Sequence, residues 1–152
     1  YKRYTHEGGV ATPLIVHWPA GLKSQGELRH APSHIIDIAP TCLSAAGLSV
    51  KGMEGKSLLP IFVRDSKEER TLYWEHEGNR AVRKGNYKLV AMHDAPWELY
   101  DMNKDRSELN DLSKKMMGKA KELRLLYEAW AKRVGALSWN EVMVTRKKKI
   151  KK

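Results

Sequence analysis

The spacing of apolar positions changes near residue 70, and the change predicts a sheet. Beyond that point, four stretches alternate polar and apolar residues as half-buried strands do, and they are Thr71–Glu77, Arg80–Arg83, Asn86–Met92 and Trp97–Met102. Lys84-Gly85-Asn86 supplies turn residues between the second and third stretches. The pattern predicts one small antiparallel sheet of four strands.

A helical period follows the predicted strands. Apolar side chains recur every three or four positions and share one helix face, namely Met116, Ala120, Leu123, Tyr127, Trp130 and Val134. Gly135 comes directly after the last of them, where a glycine in the left-handed conformation commonly ends a helix. We expect this helix to cover the sheet, because a small sheet needs an apolar cover to be stable.

The residues before position 70 have a pattern typical of an α/β protein. The run Leu14–Trp18 is continuously apolar and lies between Pro13 and Pro19, which predicts a strand that is buried on both faces. Asp37 is predicted to cap a short helix from about Ile38 to Ala46. The predicted fold class is therefore α/β, with a small α+β subdomain at its C-terminal end.

These patterns divide the chain into three parts. Residues 1–69 are predicted to be the end of a larger α/β domain with a connector, residues 70–137 the sheet and helix, and residues 138–152 a disordered basic tail. The formal charge is +10, but without the six cations of Arg146–Lys152 the remaining 22 Lys and Arg face 18 Asp and Glu, which leaves +4. The tail has no interleaved aromatic residues, so specific nucleic-acid binding is not expected, and no apolar run predicts a membrane span.

The first nine residues carry the strongest functional signal. Lys2 stands five positions before Glu7-Gly8-Gly9, and the two glycines allow the backbone to take positive φ and turn sharply ahead of the apolar run. A K-x4-E-G-G segment followed by such a strand resembles the formylglycine-dependent sulfatases, which belong to the alkaline-phosphatase-like superfamily. The likeness continues in the same order through Asp37–Thr41, Gly55–Pro60, Arg80–Arg83, Tyr87–Leu89 and Glu98–Asp101.

The resemblance implies a sulfuric ester hydrolase whose nucleophile, a formylglycine, is made from Cys or Ser in a C/S-x-P-x-R motif. No proline of this sequence has Cys or Ser two residues before it, and the lone Cys42 is interpreted as a small core residue. The family's Ca²⁺ ligands lie upstream of its lysine, so a calcium site is implied outside this chain and no metal site within it. We expect the chain to be the C-terminal part of a sulfatase that is inactive alone.

The resemblance also assigns roles to residues. Lys2 matches the family's catalytic lysine, which contacts the sulfate group. His6, between Lys2 and the glycines, is a candidate substrate-binding residue, and so are His76 and Arg80 at the predicted edge of the sheet. Glu7 is expected to anchor the turn by accepting backbone hydrogen bonds, because an unpaired carboxylate near a sulfate would repel the substrate.

The implied partners are a sulfated small molecule or carbohydrate and the missing N-terminal part of the same protein. Two alternatives are a phosphonate or phosphodiester hydrolase of the same superfamily and a non-catalytic domain whose basic tail binds polyanions. The family resemblance implies a periplasmic, extracellular or lysosomal location.

Overall fold

The computed structural model describes residues 3–23, 26–66 and 69–150 of the 152-residue chain. They form two compact units. The larger unit combines the residues up to Thr12 with those from Arg70 onwards, and the smaller unit is Pro13–Glu69. This division differs from the one predicted from the sequence. The reason is that side chains of the first twelve residues are bound to the C-terminal sheet.

The larger unit is built on a four-stranded antiparallel sheet, as predicted. Its strands follow one another in chain order, and they are β1 Thr71–His76, β2 Asn79–Lys84, β3 Tyr87–Ala91 and β4 Glu98–Asp101. The register pairs Tyr73 with Val82 and Val82 with Leu89, which aligns apolar side chains across neighbouring strands.

One face of the sheet is covered by the helix α4, Met117–Val134, which confirms the predicted helix. Its Leu123 is fully buried in a cluster with Val82, Leu89, Leu99 and Tyr127. Gly135 has a φ of 69° and ends the helix in the left-handed conformation that the sequence predicts.

The opposite face of the sheet carries a second buried cluster, formed by Ala81, Val90, Tyr100 and Met102 with Trp74 packed against it. Side chains two residues apart share a face of a strand, so Lys88 and Glu98 also lie on this side. The N-terminal segment, which we define as residues 3–11, binds here. It contains the single-turn helix α1, Glu7–Val10.

The smaller unit contains a 3₁₀ turn at Ile35–Asp37 and the helices α2, Ile38–Ala45, and α3, Leu59–Val63. Asp37 is fully buried, but its side chain does not cap α2 as predicted. Its carboxylate accepts hydrogen bonds from the backbone N–H groups of His34, at 2.8 Å, and Lys56, at 2.9 Å. Asp37 therefore joins the start of the helical region to the loop before α3.

Two further predictions for this unit are wrong. Residues 13–18 have no regular secondary structure, and Ile15 is 89% exposed where a doubly buried strand is predicted. A strand needs neighbours that satisfy its backbone groups, and no strand of the described ranges pairs with this run. Cys42 is exposed rather than part of a core.

Trp139–Ile150 forms the helix α5, where the sequence analysis predicts a disordered tail. Ser138 and Glu141 give the reason, because they form a capping box. Glu141 Oε2 accepts from Ser138 N at 2.8 Å, and Glu141 N donates to Ser138 Oγ at 3.3 Å. Within the described ranges, no helix has the length and apolar character needed to cross a membrane.

Candidate functional site

The candidate site is formed by the N-terminal segment on the second face of the sheet. Its two glycines do not use the positive φ that glycine allows. Gly8 and Gly9 instead lie within α1, where Gly9 N donates to His6 O at 2.8 Å. The side chains of His6 and Glu7, at the start of this helical turn, contact the sheet.

Lys2, the predicted catalytic residue, lies outside the described residues. The next residue, Arg3, is held at its carbonyl oxygen, which accepts a hydrogen bond from Asn79 Nδ2 at 3.0 Å. Asn79 is buried at the start of β2, and its Oδ1 accepts from His93 N at 3.1 Å. Arg3 Nε also lies 3.2 Å from Glu77 Oε2. The backbone directly after Lys2 is thus bound to a buried side chain of the sheet.

Lys88 is fully buried on β3 and pairs with two carboxylates. Its Nζ lies 3.1 Å from Glu7 Oε1 and 2.8 Å from Glu108 Oε1. Glu7 N donates to Glu108 Oε2 at 2.7 Å, so the three residues form a closed network. Backbone donors are predicted to hold Glu7, whereas in the structure its carboxylate is held by Lys88. A buried charge requires such partners, because an unpaired one costs far more free energy than a hydrogen bond returns.

Two arginines bring further positive charge close to Glu7. Arg106 Nε lies 3.9 Å from Glu7 Oε2, although the Arg106 side chain is 74% exposed. Arg83 on β2 is partly buried, and this burial lowers its pKa; the Glu7 carboxylate opposes the shift and Arg106 adds to it. The carboxylates of this face therefore have cationic neighbours on several sides.

His6 makes the second contact between the segment and the sheet. Its Nε2 lies 2.9 Å from Glu98 Oε2, and the hydroxyl of Tyr100 donates to the same oxygen at 3.2 Å. An ionised carboxylate only accepts hydrogen bonds, so His6 Nε2 carries a proton in this arrangement. Burial, followed by the charge of Glu98, raises the pKa of Tyr100, which keeps its hydroxyl protonated as a donor.

A cavity of about 270 Å³ opens beside this contact, and its lining residues are Tyr4, His6, Gly8, Gly9, Met92 and Glu98. Tyr4 and Met92 are exposed and give it apolar walls. The two glycines leave the backbone accessible, since they carry no side chain. Apolar walls with a few convergent polar groups are typical of a site for a small molecule.

The structure does not bring the other two predicted substrate-binding residues to this cavity. His76 ends β1 and is exposed. Arg80 lies on the α4 face of the sheet, where its Cζ is 4.7 Å from the ring centroid of Trp97. Arg80 and His6 are therefore on opposite faces.

The described residues do not fit a calcium site. Within the described ranges, no group of three or more His, Cys, Asp and Glu side chains could hold a metal ion. The adjacent carboxylates of Glu7 and Glu108 are bound to the ammonium of Lys88, which occupies the place that a cation would need.

Four residues that shape the site are missing from the sequence-based set: Asn79, Lys88, Glu98 and Glu108. Lys88 carries a weak signal, because it lies inside a strand pattern between Tyr87 and Leu89, where a lysine is uncommon unless paired. Glu108 lies in a loop without periodicity. Its partner Glu7 is 101 residues away in the chain, so no local pattern could connect them.

The profile of the family described as N-sulphoglucosamine sulphohydrolase, C-terminal, matches residues 1–131. The match includes the N-terminal segment, the whole sheet and most of α4. The chain belongs to this sulfatase family. The resemblance drawn from short motifs in the sequence is thereby confirmed.

Sulfatases from distant organisms are similar to this chain. The N-acetylglucosamine-6-O-sulfatase of Bacteroides thetaiotaomicron is 32% identical over 145 residues, which covers 84% of this chain and 26% of that protein. Arylsulfatase K of Danio rerio is 33% identical over 128 residues, which covers 74% of this chain and 24% of that protein. The sulfatase chain described here thus spans about a quarter of the length of these relatives.

A solved structure from a Bacteroides thetaiotaomicron locus for the metabolism of multiple glycosaminoglycans is similar in fold. It matches this chain with a TM-score of 0.72 at 22% identity, over 84% of this chain and 30% of that one. The likeness shows a shared fold and confirms the predicted fold class, with its small subdomain of a four-stranded antiparallel sheet and a helix.

Proposed function

We propose that the full-length protein hydrolyses sulfate esters of carbohydrates or aryl alcohols and that this chain is its C-terminal part. The observation that carries the proposal is the family match across residues 1–131, which includes Lys2 and the anchored segment that follows it. The formylglycine nucleophile and the Ca²⁺ ligands would belong to the upstream part of the protein. We therefore expect no turnover by this chain alone.

In this proposal Lys2 acts by electrostatics. Cleavage of a sulfate ester moves negative charge onto the leaving oxygen and the sulfate oxygens, and an ammonium fixed near these atoms stabilises the transition state. One donor of this kind contributes on the order of 3 kcal/mol. The contribution depends on placing the charge before reaction, and the bond from Asn79 to the carbonyl of Arg3 supports such placement.

We further propose that the cavity beside His6 binds the organic part of the substrate. Tyr4 and Met92 offer apolar surface to a ring, while His6 and Glu98 offer hydrogen-bonding groups to its hydroxyls. The Glu98 carboxylate would repel a second anionic group, so the part of the substrate bound here is neutral. The name of the relative N-acetylglucosamine-6-O-sulfatase supports a sulfated sugar. His76 and Arg80 stay predictions, because the geometry does not place them at this cavity.

The test is turnover of a sulfate ester by the full-length protein and by its Lys2→Ala variant. We expect kcat to fall by about 100-fold or more, in keeping with the loss of one transition-state donor. Lys51→Ala removes an exposed lysine from a turn of the smaller unit and is the matched control, with unchanged turnover. A loss of less than about tenfold, or 1.4 kcal/mol, would remove Lys2 from the catalytic residues.

A matched pair of substrates separates the sulfatase from a phosphonate or phosphodiester hydrolase. The same aryl alcohol is supplied as its sulfate ester and as its phosphonate monoester, and kcat/KM is measured for each. A higher value for the sulfate ester supports the proposal. A higher value for the phosphonate would instead assign the protein to the alternative activity.

A further inference from the structure

Lys88 is an unexpected residue for its position. It is fully buried on β3, an interior strand of the sheet. Removing an ammonium from water costs several kcal/mol, and apolar residues of similar volume often stabilise such positions as well or better. Stability of the sheet alone therefore does not explain a lysine here. The explanation lies in what its ammonium binds.

We propose that Lys88 is a positioning residue: it holds the N-terminal segment in place on the sheet, and the reaction of the proposed catalytic Lys2 depends on that anchor. The inference rests on the proposed function, since it assigns Lys88 a role in that reaction. Glu7, five residues after Lys2, is bound twice: Lys88 holds its carboxylate at 3.1 Å, and Glu108 accepts from its backbone N–H at 2.7 Å.

The position of the Lys88 backbone is fixed on both sides. It pairs with Arg83 on β2 and with Tyr100 on β4, so it cannot shift without breaking the sheet. Its ammonium also lies 5.9 Å from the ring centroid of Trp74. A charge on such a rigid support can fix the place of a separate segment of the chain.

Two anchors set the direction of the segment as well as its place. Asn79 holds the carbonyl of Arg3, and Lys88 holds the side chain of Glu7, four residues further along. Two fixed points restrict the backbone between Arg3 and Glu7, which follows Lys2 in the chain. Directional accuracy matters because a misplacement of about 1 Å at a reacting group can lower the rate by about 100-fold.

A double-mutant cycle on the full-length protein tests the inference, with Lys2→Ala, Lys88→Met and their combination. We expect Lys88→Met to lower kcat for a sulfate ester by about 100-fold, with KM changed by less than about threefold. In the Lys2→Ala background, Lys88→Met should have no further effect on kcat, because a positioning residue acts through the group it positions. Additive losses would overturn the inference.

Lys88→Met leaves two carboxylates without their cation, which destabilises the fold. Glu7→Gln is therefore measured as a second variant, to separate loss of positioning from loss of folding. In Glu7→Gln the buried pair of Lys88 and Glu108 stays intact, and only the charge that binds the segment is lost. Arg124→Gln removes an exposed cation from α4, on the other face of the sheet, and is the matched control, with unchanged kcat. If Glu7→Gln also leaves kcat unchanged, Lys88 does not position Lys2.

Amide hydrogen exchange provides a readout that does not need activity. Loss of the anchor should speed exchange at Gly9 and Val10, whose N–H groups donate to His6 O, by about tenfold or more. Exchange at Leu89 in β3 should stay unchanged in Glu7→Gln, which keeps the buried pair of Lys88 and Glu108. If the wild-type protein hydrolyses no sulfate ester, the proposed function fails, and this exchange measurement alone still shows whether Lys88 holds the segment. Equal exchange at Gly9 and Val10 in wild type and Lys88→Met would overturn the inference.

Discussion

Replacing Leu123 by alanine tests whether α4 packs on the sheet as described. The Leu123 side chain is fully buried among Val82, Leu89 and Leu99. Such a replacement costs about 2–5 kcal/mol of stability, and the cost is greatest where the surroundings cannot close the cavity. These neighbours belong to paired strands, which cannot move inward without losing backbone hydrogen bonds. We therefore expect about 3–4 kcal/mol for Leu123→Ala.

Leu125→Ala is the matched control, because it makes the same chemical change on the same helix at a side chain that is 51% exposed. We expect it to cost about 0.5 kcal/mol or less. Amide exchange of α4 in the full-length protein measures both variants locally, without unfolding the whole molecule. A cost of 3 kcal/mol corresponds to exchange that is faster by more than about 100-fold, at about 1.4 kcal/mol per factor of ten. Equal exchange rates in the two variants would refute the packing of this helix face.

Two further predictions concern α4. Gly135→Ala should lower stability by about 1–2 kcal/mol, because a φ of 69° is costly for a residue with a Cβ atom. Gly118→Ala, in the open first turn of α4, should raise stability by up to about 1 kcal/mol, because alanine favours a helix more than glycine does. Thermal unfolding of both variants checks the opposite signs, and equal signs would contradict the assigned conformations. Burial raises the pKa of Tyr127 to about 12, above its ordinary value of 10.0, so the stabilising contribution of the neutral phenol is complete below pH 10 and is lost as the pH rises towards 12. Urea unfolding in this pH window should show a smaller loss of stability for Tyr127→Phe than for the wild type, and equal losses would contradict the burial of this hydroxyl.

The sheet and α4 are predictable from the sequence because their signals are local. The stripe that includes Leu123 and Tyr127 reflects burial of one face of α4 and has a period of 3.6 residues, whereas β3 is marked by apolar residues that are buried on both faces. Gly135 is predictable for a similar reason, since a left-handed residue at a helix end favours glycine strongly. These elements need no knowledge of distant partners.

The candidate site is not predictable in the same way. Glu7 and Lys88 are 81 residues apart, and His6 and Glu98 are 92 residues apart, so their contacts leave no periodic pattern. Motif resemblance nevertheless directs attention to Lys2, His6 and Glu7, because it compares whole sequences rather than local periods. It does not supply the buried partners, which have to be read from the structure.

The wrong predictions also have physical causes. A continuous apolar run at residues 13–18 indicates a strand only where other strands are present to pair with it. The charge of the C-terminal region suggests disorder, but the capping box of Ser138 and Glu141 favours a helix start that charge counting overlooks.

The long separation between Glu7 and its partners has a consequence for biosynthesis. Translation runs from the N-terminus, so Lys2 leaves the ribosome about a hundred residues before Glu108 does. Until that later loop emerges and the strands pair, the contacts of Glu7 with Lys88 and Glu108 cannot all form. Contacts between such distant residues form slowly, since loop closure comes before they contribute stability. Docking of the N-terminal segment on the sheet is thus expected to be among the last events of folding, after the hairpins have formed.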